Sequence, residues 1–328
     1  MTQQPHELVW TPATAGFAAR CIHVAADLGV ADRIGDDPVV TGDLAAAVGA
    51  DAGALDRVLG LLAAHGIFEY RDGGYRHTPA SRMLCSDHPM SMRSFVQMIG
   101  SPMTWGSLSE LEHSVRTGEP GLEVIEPKGL WAYFGAHPVQ AEVFGRAMTA
   151  KAGAEVAAVV AAYDFGAFAT IADVGGGHGH LLRAVLESAP AAEGILFDLP
   201  HVVASLDIDQ PAMSATGGDF FVDALPTADA YLLMEVLHDW PDDECVAILS
   251  AIRRAARDTS TLLVIEGLIA EDGADPRART LDMIMLTVTG GRERTASELS
   301  TLFDRAGFGL DQVVETASPM RIVEASPR

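Results

Sequence analysis

Apolar and polar positions follow two regimes along this chain. From Ala15 to Ala31, apolar side chains (Phe17, Ile22, Val24, Leu28, Val30) recur at helical spacing and stop near Gly29, which predicts an amphipathic helix. Thr41-Gly42-Asp43-Leu44-Ala45 starts a second helix that Gly49 ends. Asp51 to His65 makes a third, with Leu55, Val58, Leu59 and Leu62 on one face. Gly66-Ile67-Phe68-Glu69-Tyr70 and Tyr75-Arg76-His77-Thr78 flank Arg71-Asp72-Gly73-Gly74, the pattern of a β-hairpin. Helices followed by a hairpin describe a winged-helix-like unit. Phe95 to Gly118 and Leu130 to Tyr163 read as two longer helices joined through Pro120 to Pro127. From Ala169 onward, apolar strand runs alternate with amphipathic helices, the doubly wound pattern. Strands are expected to end near Val174, Asp198, Gly218, Leu237 and Glu266, with two more at Leu310 to Glu315 and Arg321 to Glu324. The expected class is α/β: a Rossmann-like doubly wound domain over 106–328, entered through a helical segment at 106–165, behind a mostly helical winged-helix-like domain over 1–105.

Length and charge narrow the function. At 328 residues the chain exceeds one simple core and suits two domains. Its 22 basic against 45 acidic residues give a net charge of −23. A winged helix invites DNA, but Asp51 to His65 offers Arg57 alone against Asp51 and Asp56, a poor face for phosphate. No nucleic acid and no anionic membrane surface are expected as partners. No apolar run approaches the roughly eighteen residues of a membrane helix. The opening Met1-Thr2-Gln3-Gln4-Pro5-His6-Glu7 lacks the basic and apolar parts of a leader. Cys21, Cys85 and Cys245 are widely spaced, so neither a disulfide framework nor a metal site is expected, and a cytoplasmic location is. Helices as apolar as Ala15 to Ala31 and Phe95 to Gly118 would not stand exposed in so small a front domain, which predicts a dimer through the first hundred or so residues.

The candidate chemistry begins at Asp173-Val174-Gly175-Gly176-Gly177-His178-Gly179, between an apolar run and a helix. Glycines let backbone pass close under a ligand, and the helix start offers unpaired N–H groups. A dinucleotide fingerprint of the Gly-x-Gly-x-x-Gly kind would end on His180, whose side chain blocks the close approach a pyrophosphate needs. Gly175, Gly177 and Gly179 suit a cofactor without a pyrophosphate, and S-adenosylmethionine leads. Further on, Phe197-Asp198-Leu199-Pro200 places an acid at a strand end, where ribose hydroxyls are held in nucleotide-binding α/β folds. Gly218-Asp219-Phe220-Phe221 sets an acid beside two aromatics, suited to an adenine ring. His238 follows Tyr231 to Leu237 at the carboxyl edge of the sheet. With Glu266 and Glu293 also near strand or loop ends, it can form a base held in one tautomer by acids.

These segments resemble the small-molecule O-methyltransferases that use S-adenosylmethionine and share a plant-type architecture, including bacterial natural-product enzymes. The resemblance is carried by the glycine turn, Phe197-Asp198-Leu199-Pro200, Gly218-Asp219-Phe220, Val236-Leu237-His238-Asp239-Trp240, Ile265-Glu266, Asp282-Met283-Ile284-Met285 and Gly290-Gly291-Arg292-Glu293-Arg294-Thr295, and it covers nearly the whole chain. It implies S-adenosylmethionine as donor, S-adenosylhomocysteine as product, a small-molecule acceptor and a homodimer built by the front domain. It implies His238 as general base flanked by Glu266 and Glu293. On the donor side it implies Asp173, Gly175 and Gly177 at the methionine end, Asp198 and Leu199 at the ribose, and Gly218, Asp219 and Phe220 at the adenine. On the acceptor side it implies Phe144, Met148, Trp240, Met285 and Thr289. Met234, Lys151 and Thr289 depart from the plant pattern, so no plant acceptor is implied. A carbon or nitrogen acceptor stays open, as does a non-catalytic regulator that senses a small molecule; His180 disfavours a nicotinamide oxidoreductase.

Overall fold

Buried parallel strands read as unbroken apolar runs because both faces are covered. β3 (Thr170–Val174), β4 (Glu193–Asp198), β6 (Ala230–Met234) and β7 (Thr261–Gly267) follow that rule in their centres, whereas β5 (Met213–Gly217) is an edge strand with Met213 alone buried; Ile171, Leu196, Leu232, Leu233, Leu263 and Val264 are fully buried. The computed structural model describes residues 4–270 and 275–328; the first three residues of the leader reading lie outside them. The chain divides into two units, Met1–Trp105 with Val139–Lys151, and Gly106–Pro138 with Ala152–Arg328. Val139–Lys151 thus groups with the first unit, a discontinuity that one cut at 105/106 does not describe.

In the first unit, helix Pro5–Leu28 starts ten residues before the predicted Ala15, because Pro5 at its first turn and a Gln4–Glu7 capping box initiate it. It continues through Pro12 and ends at Gly29 in the left-handed conformation. Thr41–Val48 and Ala52–Ala64 follow, the latter capped by Asp51, whose carboxylate accepts from the Ala54 amide at 2.8 Å. β1 (Phe68–Arg71) and β2 (Gly74–His77) pair through Asp72-Gly73, both at positive φ, the turn such a hairpin favours. The predicted helix Phe95 to Gly118 is broken into Arg93–Ile99, Pro102–Ser109 and Leu111–Thr117, since Pro102 cannot continue the preceding helix. Leu130 to Tyr163 likewise splits at His137-Pro138 into Gly129–Ala136 and Pro138–Ala162.

Among the described residues, the second unit holds a seven-stranded sheet in the order β5-β4-β3-β6-β7-β9-β8, with β8 (Phe308–Glu315) and β9 (Met320–Pro327). The pairs from β5 to β7 are parallel, and β9 runs antiparallel between β7 and β8. The winding reverses between β3 and β6, where open α/β sheets bind their ligands. Helices cover both faces: His180–Ser188 packs on one, Asp242–Ala255 and Ala296–Ala306 on the other. β6 ends at Met234, three residues before the predicted Leu237, because Glu235 turns left-handed at φ +52° and a 3₁₀ turn occupies Leu237–Asp239. No helix of the described residues is long and apolar enough to cross a membrane.

Candidate active site

Between β3 and the helix His180–Ser188, Gly175, Gly177 and Gly179 hold φ of +72°, +56° and +74°. Only glycine takes such backbone freely. A Cβ at Gly176 would meet Leu196 at 2.4 Å, and one at Gly179 would meet Met213 at 2.7 Å, whereas Gly177 has nothing within 4 Å. The turn is therefore closed toward the sheet and open at Gly177. Beneath it lies Asp173, 1% exposed, with an Oδ2 that finds no hydrogen-bond partner among the described residues. Burial first, then the charge of Asp198, push its carboxyl up to about 7. Asp198 accepts the Gly177 amide on Oδ2 and the Leu199 amide on Oδ1, both at 2.7 Å. Burial raises its pKa against the pull of those two amides. Each oxygen keeps a further lone pair for a ligand hydroxyl.

The next loop packs just as closely. A Cβ at Gly218 would meet the Phe197 ring at 2.6 Å. Asp219 Oδ1 accepts the Phe221 amide at 2.9 Å, which fixes the turn that presents Phe220 and Phe221. Both rings meet Trp240 edge-on, at 5.8 and 4.8 Å, and Trp131 stacks on Trp240 at 6.1 Å. Trp240 therefore stands with the Phe220 side of the site. Trp131 was not foreseen; nothing in Leu130-Trp131-Ala132 distinguishes it from ordinary packing.

His238 sits in the 3₁₀ turn, 7% exposed. Its Nδ1 is 2.8 Å from Glu293 Oε1 and 3.6 Å from Glu266 Oε2, and its Nε2 is 3.9 Å from Asp239 Oδ1. Glu266, at the end of β7, accepts the Leu237 and His238 amides on Oε1 at 3.0 and 3.4 Å. Burial pulls the imidazolium down, but Glu266, Asp239 and Glu293 outweigh it and raise His238 to about 10. Burial pushes Glu266 up to about 7, with His238 opposing. The structure thus brings His238, Glu266 and Glu293 together, with Glu293 in direct contact. In the neutral ring, with Nδ1–H donated to Glu293, the lone pair belongs to Nε2, which is the arrangement of an oriented base. The trio's donor atoms lie within 4.8 Å, a spacing a small cation also accepts, although Nδ1 is already engaged by Glu293.

The loop after helix Pro276–Val288 makes this possible. Gly290 turns at φ +76°, and a Cβ at Gly291 would strike the His238 carbonyl oxygen at 2.0 Å. Glycine at 291 lets the loop lie on the histidine turn. Glu293 then reaches Nδ1, its amide donates to Asp282 Oδ1 at 3.0 Å, and Thr295 caps helix Ala296–Ala306 in a capping box with Glu298. Met285 is 7% exposed, and the Thr289 hydroxyl donates to its carbonyl at 3.1 Å and accepts the Gly291 amide at 3.2 Å. Thr289 thereby ties the helix end to the loop. Phe144 and Met148, half-buried, lie on the part of Pro138–Ala162 that belongs to the first unit. A cavity of about 450 Å³ beside Met283, Leu286 and Arg292 is lined also by Glu293, the partner of His238, and includes neither His238 nor Met285.

Comparison with known proteins identifies the family. An O-methyltransferase domain matches residues 108–309, and an O-methyltransferase dimerisation domain matches 13–87. The chain is 39% identical over 322 residues to the phenazine O-methyltransferase PhzM of Lysobacter antibioticus, covering 96% of this chain and 94% of that protein. It is 34% identical to an 8-amino-8-demethylriboflavin N,N-dimethyltransferase of Streptomyces davaonensis, covering 92% and 90%. Among solved structures, the O-methyltransferase NcsB1 from neocarzinostatin biosynthesis, in complex with S-adenosylmethionine and 2-hydroxy-5-methyl naphthoic acid, superposes with a TM-score of 0.82 at 33% identity, covering 95% and 96%.

Proposed function

The chain belongs to the O-methyltransferase family and is an S-adenosylmethionine-dependent enzyme, and on that premise we propose that it methylates a hydroxyl of a small aromatic metabolite with His238 as general base. The observation that carries this is the 2.8 Å contact of His238 Nδ1 with Glu293, which leaves Nε2 to take the acceptor proton. Bound at the glycine turn, the donor supplies an electrophilic methyl group on a positively charged sulfur. The residues present suit it: an open backbone at Gly177 beside Gly175, an unpartnered Asp173 oxygen for a polar group, spare Asp198 lone pairs beside Leu199 for ribose hydroxyls, and Gly218, Asp219, Phe220 and Trp240 around an adenine. Met285 and Thr289 belong to the acceptor side in this proposal, and Phe144 and Met148 keep the role the resemblance gives them. Glu293 holds the imidazole in one tautomer, and Glu266 fixes the backbone of the turn.

A labelled-methyl assay on a panel of hydroxyl, amine and carbon acceptors, run before and after chelation, tests the whole. Label on hydroxyl acceptors that survives chelation is expected. Transfer to amines alone would favour the nitrogen reading that the dimethyltransferase relative supports, and a loss on chelation would replace the base with metal assistance. Asp198→Ala should weaken binding of S-adenosylhomocysteine by about 1–3 kcal/mol in calorimetry, the cost of removing a charged hydrogen-bond partner and freeing two amides. Unchanged affinity would remove Asp198 from the donor site.

The proposal includes a homodimer. Helix Pro5–Leu28 exposes Val9, Trp10 and Phe17 at 69%, 70% and 74%, an apolar face that another surface should cover. Light scattering should give a dimer, and Phe17→Asp should shift it toward monomer; a wild-type monomer with full activity would refute this. Free cysteines at 21, 85 and 245 accord with a reducing, cytoplasmic setting.

A further inference from the structure

Arg294 is 3% exposed, although it stands next to Glu293 in a loop on the edge of the sheet. Its guanidinium is fully engaged. Nη1 donates to the Leu237 carbonyl at 2.9 Å and to the Arg292 carbonyl at 3.3 Å. Nη2 donates to the Trp240 carbonyl at 2.7 Å and to Asp242 Oδ1 at 2.8 Å, and Nε donates to the same oxygen at 3.0 Å. The two carbonyls outside its own loop are those of Leu237 and Trp240, on either side of the His238–Asp239 pair. Asp242 opens the helix Asp242–Ala255 that follows.

We propose that Arg294 is the positioning residue of the site: one rigid fork grips both ends of the histidine turn, and so fixes the base relative to Trp240 and the aromatic wall beside it. A planar guanidinium with five donors can span two carbonyls and a carboxylate at once; an ammonium cannot. Burying a cation beside a half-exposed carboxylate is a weak source of stability compared with apolar packing, so its use lies in geometry. In-line methyl transfer needs acceptor oxygen, methyl and base in register, and a displacement of about 1 Å can cost about 10²-fold in rate. Arg294 touches neither donor nor acceptor in this scheme. It acts through His238, and the proposal rests on His238 as the base.

The test is Arg294→Lys, which keeps the charge and loses the fork, read in two ways. In the free protein, 15N NMR of the histidines followed through the titration should show His238 titrating closer to the ordinary histidine range and, once it is neutral, losing its single Nδ1–H tautomer. Burial and then Glu266, Asp239 and Glu293 around the ring set that titration; the Arg294–Asp242 pair lies behind the turn. In assays, kcat should fall about 10- to 100-fold while S-adenosylhomocysteine affinity changes far less. Asp242→Asn, at a half-exposed position, should move both readouts the same way by less. If Arg294→Lys lowers activity only in proportion to its folded fraction, with the His238 tautomer and titration as in wild type, Arg294 is structural and the proposal falls. It also falls if kcat is unchanged. The NMR readout needs no turnover, so it separates failure of this proposal from failure of His238 as base.

Discussion

His238→Gln is expected to keep the fold and the affinity for S-adenosylhomocysteine while lowering turnover roughly 10²–10⁴-fold. Glutamine can occupy the buried space and still donate to Glu293, but it cannot take a proton. The loss should be greatest for acceptors with a high hydroxyl pKa and smallest for acidic phenols that ionise unaided. Glu266→Gln and Glu293→Gln should cost less, and the three effects should not add, because the residues act as one unit. The pH profile supplies a second reading. Glu266, Asp239 and Glu293 overcome burial and hold the imidazolium up to about 10, so the free enzyme at neutral pH carries the proton that the base must lack. The productive form has one proton fewer, so kcat/KM should rise with pH, through an apparent value above the ordinary 6.5 of histidine. That value belongs to the coupled trio. Glu293→Gln removes one anion that favours the imidazolium, so the rising limb should move to lower pH. Near wild-type turnover of His238→Gln on a high-pKa hydroxyl, or a limb that moves upward in Glu293→Gln, would overturn the assignment.

Gly291→Ala is expected to damage both stability and turnover. The added Cβ would lie 2.0 Å from the His238 carbonyl oxygen, 2.4 Å from the Asp239 carbonyl carbon and 2.6 Å from the Trp240 nitrogen, all backbone atoms that cannot rotate away. The loop must lift, and it carries Glu293 and Arg294 with it. Overpacking of this kind costs about 1–3 kcal/mol. A melting point lower by roughly 2–4 °C per kcal/mol follows for a unit of this size. Displacing the two side chains that orient His238 should lower kcat by about 10²-fold. Gly267→Ala serves as the control, since a Cβ there meets nothing within 4 Å. Equal melting points and rates for the two variants would show that the loop can shift without harm to the base.

Much of this arrangement is legible in the residues themselves. β3, β4, β6 and β7 announce themselves as apolar runs because both their faces are covered, whereas the edge strand β5 is mostly polar; Asp51 and Gly49 mark helix ends by side-chain and backbone chemistry. The helix breaks at Pro102 and Pro138 were legible too, yet the apolar spacing around them overrode the proline signal. The early start at Pro5 was hidden by Pro12, which reads as a breaker although the helix passes through it. The left-handed Glu235 left no trace, because nothing local asks a glutamate to adopt that backbone. Within the site, the glycine spacing and the histidine with its acids are local signals. The burial of Arg294 is not: a basic residue in a polar loop looks solvated until the carbonyls of Leu237 and Trp240, more than fifty residues earlier, are seen to converge on it.

The placement of β9 between β7 and β8 has a consequence for how the enzyme comes into being. Glu266 pairs with Arg321 across that junction, so the strand that delivers the carboxylate beside His238 gains its second neighbour only from residues 320–327. A ribosome that has released everything up to Ala306 exposes β7 as a bare edge, its amides and carbonyls facing solvent along an apolar strand. Such edges recruit other chains. The interval between synthesis of β7 and arrival of β9 is therefore a window in which this edge is open to aggregation, and slower synthesis over residues 268–327 should lower soluble yield.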